Sequence, residues 1–241
     1  MQRLSAQAYD ALTRGAKVLS QDRHGPKVLA LADDRCVKLF RRKRLLSSAT
    51  LLPYARRFEA AAARLSRLGI PTVAVDSVTR VPSIKRDAVV YRYLEGTPLR
   101  EAVAQAGRDR DAVAGLLKQH AAFLAELHAK GVYFRSIHFN NVVICPDGAF
   151  GLIDISEARV ARRPLPPEKR ARNFRPMLSY EEDRAALEVI GVADFLAHYL
   201  RHAALAPAAT ARFIRKLADI DTLYEQALPM LPESVERAAL R

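Results

Sequence analysis

Between Phe134 and Asp154 the chain gathers side chains that can move protons and hold hard cations. Arg135, Ser136, His138 and Asn141 crowd one short polar stretch, and Asp154 then stands in the apolar run Gly151-Leu152-Ile153-Asp154-Ile155. A carboxylate in such a run is expected to be buried and therefore paired, hydrogen-bonded or metal-bound, because burying a lone charge is costly. Asn141 opens the strand before it, which is expected to bring amide and carboxylate close together. One carboxylate and one amide oxygen are hard ligands, a set suited to Mg²⁺ carrying phosphate oxygens.

The elements that must position these groups can be read around them. Asp109 to Lys130 carries Leu116, Leu117, His120, Phe123, Leu124 and Leu127 at helical spacing and stops at Gly131. The polar stretch follows, and Asn141–Cys145 and Phe150–Ile155 then flank Pro146-Asp147-Gly148 as a hairpin. Upstream, Lys27–Leu31 and Arg35–Phe40 flank Asp33-Asp34 as a second hairpin. Tyr54–Leu68 aligns Phe58, Ala61, Ala62 and Leu65 on one helical face and ends at Gly69. Strands are expected at Thr72–Arg80 and Ala88–Tyr93. Downstream, an Arg- and Pro-rich loop is expected over about residues 159 to 177. Ser179 with Glu182 reads as a capping box for a helix to about Leu200, and at least one further helix is expected near Ala208–Leu223. The texture changes from strand-rich to helix-rich near residues 94 to 98. The expectation is an α+β fold of two lobes, 1–94 and 95–241.

Composition narrows the class. With 241 residues, half of them hydrophobic, the chain can bury one substantial core divided into two lobes. Lys and Arg number 39 against 26 Asp and Glu, a net charge of +13 that favours polyanionic partners. No aromatic-plus-basic repeat of the kind that stacks bases is present, so no nucleic acid is expected. Cys36 and Cys145 are the only cysteines and make neither a zinc site nor a disulfide framework. The five other histidines, His24, His120, His128, His198 and His202, show no metal-ligand spacing. The N-terminus lacks the apolar core of a signal peptide and no window reaches the length of a membrane span. A soluble cytoplasmic protein is expected, with contact at an anionic membrane surface left open through the basic run Arg41–Arg44.

The stretch Phe134-Arg135-Ser136-Ile137-His138-Phe139-Asn140-Asn141, with Asp154 after the hairpin, resembles the catalytic loop and metal-binding acid of the protein-kinase-like superfamily. In protein kinases that loop reads H-R-D-x-x-x-x-N, and in aminoglycoside-type small-molecule kinases H-G-D-L-H-x-x-N. Within the superfamily the chain is most similar to bacterial lipopolysaccharide core kinases and the related toluene tolerance proteins. That resemblance rests on Val89-Val90-Tyr91-Arg92-Tyr93-Leu94-Glu95-Gly96-Thr97-Pro98-Leu99, on Leu127-His128 and on Gly151-Leu152-Ile153-Asp154. It implies a bilobal kinase-like fold and transfer of phosphate from ATP, with Mg²⁺, to a heptose or Kdo-type inner-core sugar at the inner membrane's cytoplasmic face. Lys38 would then hold the nucleotide phosphates and Glu59 would hold Lys38. The segment through Glu95 would be the hinge that meets adenine, and Asn141 and Asp154 would hold the metal. The acceptor hydroxyl would fall to Arg135, Ser136 and His138, and Arg159 to Arg175 would occupy the activation-segment position, facing an anionic acceptor.

The departures define the competing reading. Ser136 stands where the family has an aspartate base, and a serine hydroxyl is a poor base at neutral pH. Base catalysis typically contributes about 10²–10⁴-fold. His138 is either a substitute base or a histidine bracing the loop. Gln21-Asp22-Arg23-His24-Gly25 offers one glycine where a glycine-rich phosphate loop is expected, and Ile155-Ser156 replaces Phe-Gly after the acid. These features suit a pseudokinase that binds nucleotide or a partner without transferring phosphate.

Overall fold

Strand alternation and two helical covers explain the first half of the chain. A computed structural model of the protein describes residues 1–41 and 53–231. They divide into a strand-rich unit of residues 1–95 with 152–157, and a helical unit of residues 96–151 with 158 onward. Arg42, Lys43 and Arg44 of the expected basic run lie outside the described residues, while Arg41 is exposed at a strand end.

The first unit contains β1 (Gln2–Arg3), α1 (Ala6–Leu12), β2 (Lys17–Asp22), β3 (Gly25–Ala30), β4 (Arg35–Arg41), α2 (Tyr54–Arg67), β5 (Ala74–Val81) and β6 (Arg86–Arg92). The strands form one sheet in the order β1-β5-β6-β4-β3-β2. β1 joins β5 in parallel, and the other neighbours are antiparallel. The Asp33-Asp34 turn forms as the sequence suggests: Asp34 adopts φ 59 and Asp33 binds the Arg35 guanidinium. Both faces of β4 and β6 need covers, since successive residues point opposite ways. Val37, Leu39, Ala88 and Val90 pack with Leu29 and Val81, and Leu4, Tyr9, Leu12 and Ala16 of the α1 region close that side. α2 buries Ala55, Phe58, Ala61, Ala62 and Leu65, and Phe58 meets Phe40 and Tyr91 of the other side at ring distances of 5.9 and 5.4 Å. A left-handed Gly69 ends α2, with Gly69 N–H bonded to Ser66 O and Ile70 N–H to Leu65 O, a Schellman closure.

The stretch Gln21–Gly25 is a tight hairpin tip. Asp22 pairs directly with Gly25 across β2 and β3, and the Asp22 carboxylate accepts the His24 N–H.

The second unit contains β7 (Thr97–Pro98), α3 (Leu99–Ala106), α4 (Arg110–Ala129), β8 (Val132–Phe134), β9 (Val142–Ile144), β10 (Phe150–Leu152), β11 (Ala158–Val160) and α5 (Pro167–Arg172). It continues with α6 (Glu181–Ile190), α7 (Val192–Ala203), α8 (Pro207–Ala218) and α9 (Thr222–Ala227). Its core is aromatic: Phe174 lies within 6.2 Å, ring to ring, of Phe195, Tyr199, Phe213 and Tyr224. Gly96 permits β7 to lie on β9, because a Cβ there would overlap the Ile144 carbonyl oxygen and sit 2.7 Å from Val143 Cγ1.

Three expectations are corrected in this unit. The stretch 159–177 is not one loop, for it contains β11, α5 and a 3-10 turn at Arg175–Leu178. The single helix expected to Leu200 is two, broken at Gly191 (φ 88). Ser179 does not cap it either: Tyr180 precedes the helix, and the Ser179 hydroxyl bonds back to Arg175 O at 3.5 Å. The further helical sequence expected near Ala208–Leu223 forms α8 and α9, with Asp221 capping the second.

Candidate functional site

Alternation along β4 sends Lys38 to the α2 face of the sheet, between strand neighbours Val28 and Val89. Its side chain is only 12% exposed, and the ammonium lies 5.6 Å from the Phe58 ring centre and 5.8 Å from that of Phe40. A cation so placed needs a counter-charge, and Asp154 supplies it: Lys38 Nζ donates to Asp154 Oδ1 at 2.5 Å, across 116 residues of sequence.

Asp154 reaches this position because residues 152–157 fold with the first unit. Leu152 N–H bonds to Pro71 O at 2.9 Å and Thr72 Oγ1 donates to Leu152 O at 2.7 Å. Two residues beyond β10, Asp154 adopts φ 51, the left-handed region that disfavours most side chains. That twist sends Ile155 into the interior (0% exposed), where the turn Ile155–Glu157 packs on α2, and turns the carboxylate outward. The expectation of a buried Asp154 is therefore wrong: its side chain is 51% exposed and it is the lysine that is sheltered. The apolar run belongs to the strand, and the acid lies past its end.

Glu59 does not hold Lys38 here. It faces Arg56 one turn back on α2 at 2.7 Å, and it borders a cleft of about 510 Å³ formed with Ala62, Ser66 and residues 69–75. Glu95 is exposed on the segment after β6. Above the same sheet face, the Tyr93 hydroxyl contacts the buried Cys36 thiol, and burial pushes the Tyr93 pKa up to about 12.

In the second unit the loop residues are held from beneath by groups of which the sequence pattern marks only His128. Asn173, 1% exposed, brackets the loop's entry: Nδ2 donates to Phe134 O at 2.6 Å and Oδ1 accepts Phe134 N–H at 3.3 Å. The same oxygen meets His128 Nε2 at 3.2 Å, while His128 Nδ1 meets the Tyr199 hydroxyl at 2.8 Å. Burial pushes the His128 pKa down to about 3, so the ring is neutral and structural. Asp183, fully buried, accepts Phe139 N–H at 2.9 Å and Arg100 Nε at 2.7 Å. Arg100 also lies over the Tyr180 ring at 4.4 Å, and Tyr180 meets the His138 ring at 4.7 Å.

On this base, Asn141 closes the loop. It sits at the end of a 3-10 turn, Phe139–Asn141, rather than in a strand, and is 8% exposed. Its Nδ2 donates to Ser136 O at 2.9 Å and approaches His138 Nε2 at 3.0 Å. Among the described residues both hydrogen bonds of the amide run through Nδ2, leaving Oδ1 as an oxygen donor. With Nδ2–H donated to it, His138 Nε2 is an acceptor and the ring proton resides on Nδ1. Ser136, His138 and Asn141 are thus brought together, while Arg135 is exposed and lines a separate basic pocket.

Asp154 in the first unit and Asn141 Oδ1 in the second are each hard oxygen donors of the kind that bind Mg²⁺ together with substrate phosphates. Among the described residues no group of three or more His, Cys, Asp or Glu could hold a metal by itself. Chemically, the set offers a sheltered ammonium with an outward carboxylate in one unit. In the other it offers a pinned loop with an amide oxygen.

Asp183 was legible in principle, since it shares a helical face with Ala186 and Leu187, both buried. Asn173 carried no such signal: it sits at the end of a six-residue helix inside an Arg-rich stretch.

The chain matches no protein-family model. Over 81 residues it is 33% identical to the serine/threonine-protein kinase PAK mbt of Drosophila melanogaster, a stretch that covers 34% of this chain and 13% of that protein. No helix among the described residues is long and apolar enough to cross a membrane. Together with a strand-rich N-terminal part and a helical C-terminal part, the likeness to PAK mbt supports a protein-kinase-like relationship.

Proposed function

We propose that the protein is a kinase-like phosphotransferase that uses ATP and Mg²⁺. The observation that carries this reading is the Lys38–Asp154 pair, an ammonium sheltered by two aromatic rings and matched to a half-exposed carboxylate. In it Lys38 binds the nucleotide phosphates, and Asp154 and Asn141 hold Mg²⁺, which neutralises phosphate charge when bound. The hinge through Glu95 meets adenine by its backbone, and Glu59 is released from Arg56 to support Lys38 once nucleotide draws Asp154 away. Arg135, Ser136 and His138 receive the acceptor hydroxyl. The acceptor implied by the sequence resemblance is an inner-core sugar of lipopolysaccharide, presented at the cytoplasmic face of an anionic membrane.

A second reading, nucleotide binding without transfer, is favoured by one observation. His138, the residue able to replace the missing aspartate base, has its Nε2 lone pair engaged by Asn141. Neither Ser136 nor His138 then offers a ready base. Equilibrium ATP·Mg²⁺ binding and ATP turnover with core-sugar acceptors separate the readings, using wild type, Lys38→Ala, Asp154→Ala and Ser136→Asp. Mg²⁺-dependent binding lost in Lys38→Ala and Asp154→Ala supports the nucleotide site, and turnover in the wild type supports transfer. Binding with turnover only in Ser136→Asp selects the second reading. Absence of ATP binding in the wild type rejects both.

A further inference from the structure

The expected activation-segment region contributes to a basic pocket of which the phosphotransferase reading uses only Arg135. A cavity of about 440 Å³ is lined by Arg135, Arg172, Arg175 and Lys216, with Tyr133 and Ser179 at its border. Four elements of the helical unit converge there: the residue after β8, the end of α5, the start of the Arg175–Leu178 turn, and the last turn of α8. The one carboxylate on the wall, Asp219, is already paired with Lys216 at 2.9 Å. Among the described residues no carboxylate lies within ion-pair distance of Arg135, Arg172 or Arg175. Like charges around one concavity repel, and three guanidiniums that share it without a described carboxylate partner are a device for holding a multiply charged anion.

The backbone that carries them is fixed. Asn173 ties α5 to Phe134, the residue before Arg135, and α5 packs on α8. The guanidiniums therefore project from a rigid frame, while the side chains of Arg135, Arg172 and Arg175 remain exposed. A rigid frame lowers the ordering cost of binding and makes the site selective for charge density rather than for any anion.

We propose that this pocket binds a phosphate group of high charge, such as a phosphomonoester or diphosphate, and that Arg172 and Arg175 are its principal ligands. The group belongs either to a soluble phosphorylated sugar or to a lipid headgroup, whose shared chemistry is the doubly charged phosphate. Because Arg135 adjoins Ser136, an occupied pocket also fixes the start of the Ser136–Asn141 loop.

Calorimetric titration of the whole protein with inorganic pyrophosphate, in the absence of nucleotide, tests this site separately from the ATP site. Two double variants are compared, Arg172→Ala/Arg175→Ala and, as a control for diffuse charge, Arg14→Ala/Lys17→Ala on the other unit. Circular dichroism confirms that each is folded. The expected result is at least a ~10-fold weaker Kd in the first and less than a ~2-fold change in the second. Equal weakening in both, or none in the first, overturns the proposal. Two further arms distinguish the sources: competition by glucose 6-phosphate supports a soluble ligand. Co-sedimentation with phosphatidylcholine vesicles containing phosphatidic acid, lost in Arg172→Ala/Arg175→Ala, supports a headgroup. Failure of the pyrophosphate arm leaves the Lys38–Asp154 reading standing, since no nucleotide is involved.

Discussion

Replacing Asp183 by alanine should detach the loop that carries Ser136 to Asn141 from its base. The carboxylate is fully buried and accepts two hydrogen bonds, from Phe139 N–H at 2.9 Å and from Arg100 Nε at 2.7 Å. Losing the first leaves a buried backbone donor unsatisfied, which costs about 1–3 kcal/mol. Losing the second strands Arg100, and breaking a buried pair in this way typically costs about 3–5 kcal/mol. The Arg100 side chain is 23% exposed and its Nη2 is already buried with no partner among the described residues, so part of that cost is recovered through solvent and part was never avoided. About 3 kcal/mol in total is the expected loss in urea unfolding at neutral pH. Arg100→Ala in the same background should restore about 1–2 kcal/mol of the sum, because no charge is then left stranded. Hydrogen exchange at Phe139 should rise in parallel. A loss below about 1 kcal/mol for Asp183→Ala, or strict additivity in the cycle, would refute the assignment of Asp183 as the loop's anchor.

Two further outcomes follow from the same geometry. His120 is enclosed by Phe139, Phe150 and Phe195, with neither ring nitrogen hydrogen-bonded among the described residues, and burial pushes its pKa down to about 3. With His128 it must stay neutral in the folded state, whereas both bind protons below about 6.5 when unfolded. Their contribution is fully present above pH 6.5 and is lost as pH falls toward 3, at about 1.4 kcal/mol per pH unit for each group. His120→Leu should therefore be neutral or stabilising at pH 7 and should remove about one proton from the acid slope of urea unfolding, and an unchanged slope would contradict this. Gly96→Ala should cost at least about 2 kcal/mol, because a Cβ at φ 138 runs into β9 backbone that has nowhere to retreat. Thermal unfolding measures it, and a melting temperature within a degree of the wild type would show that β7 can move away.

The elements that the sequence announced are those whose signal is local. Phe58, Ala61, Ala62 and Leu65 mark the buried face of α2, and Asp33-Asp34 marks the β3–β4 hairpin, since two to eight residues suffice to state each pattern. α1 was missed because none of its seven residues is fully buried and its cover of the Val37–Leu39 face shows only in three dimensions. β8 and β11 were missed because each has three residues and their pairing joins positions 24 residues or more apart. The site divides the same way. Lys38 and Asp154 were named from their settings, yet burial was assigned to the wrong partner, because one left-handed residue reverses which way a side chain faces. Asn173 and Asp183 hold the loop across 39 and 44 residues, and nothing near them in sequence reports such a bond.

The six residues 152–157 give the strand-rich unit a discontinuous chain, since its sheet is complete by Arg92 while the counter-charge of Lys38 arrives only at Asp154. During synthesis from the N-terminus, Lys38 waits beside Phe40 and Phe58 without its partner until more than a hundred further residues have been made. The helical residues 96–151 emerge in that interval. A ribosome-bound chain stalled before residue 154 therefore carries a finished sheet whose sheltered ammonium has no counter-charge, and the first unit gains that ion pair only after residues 96–151 of the second have been made.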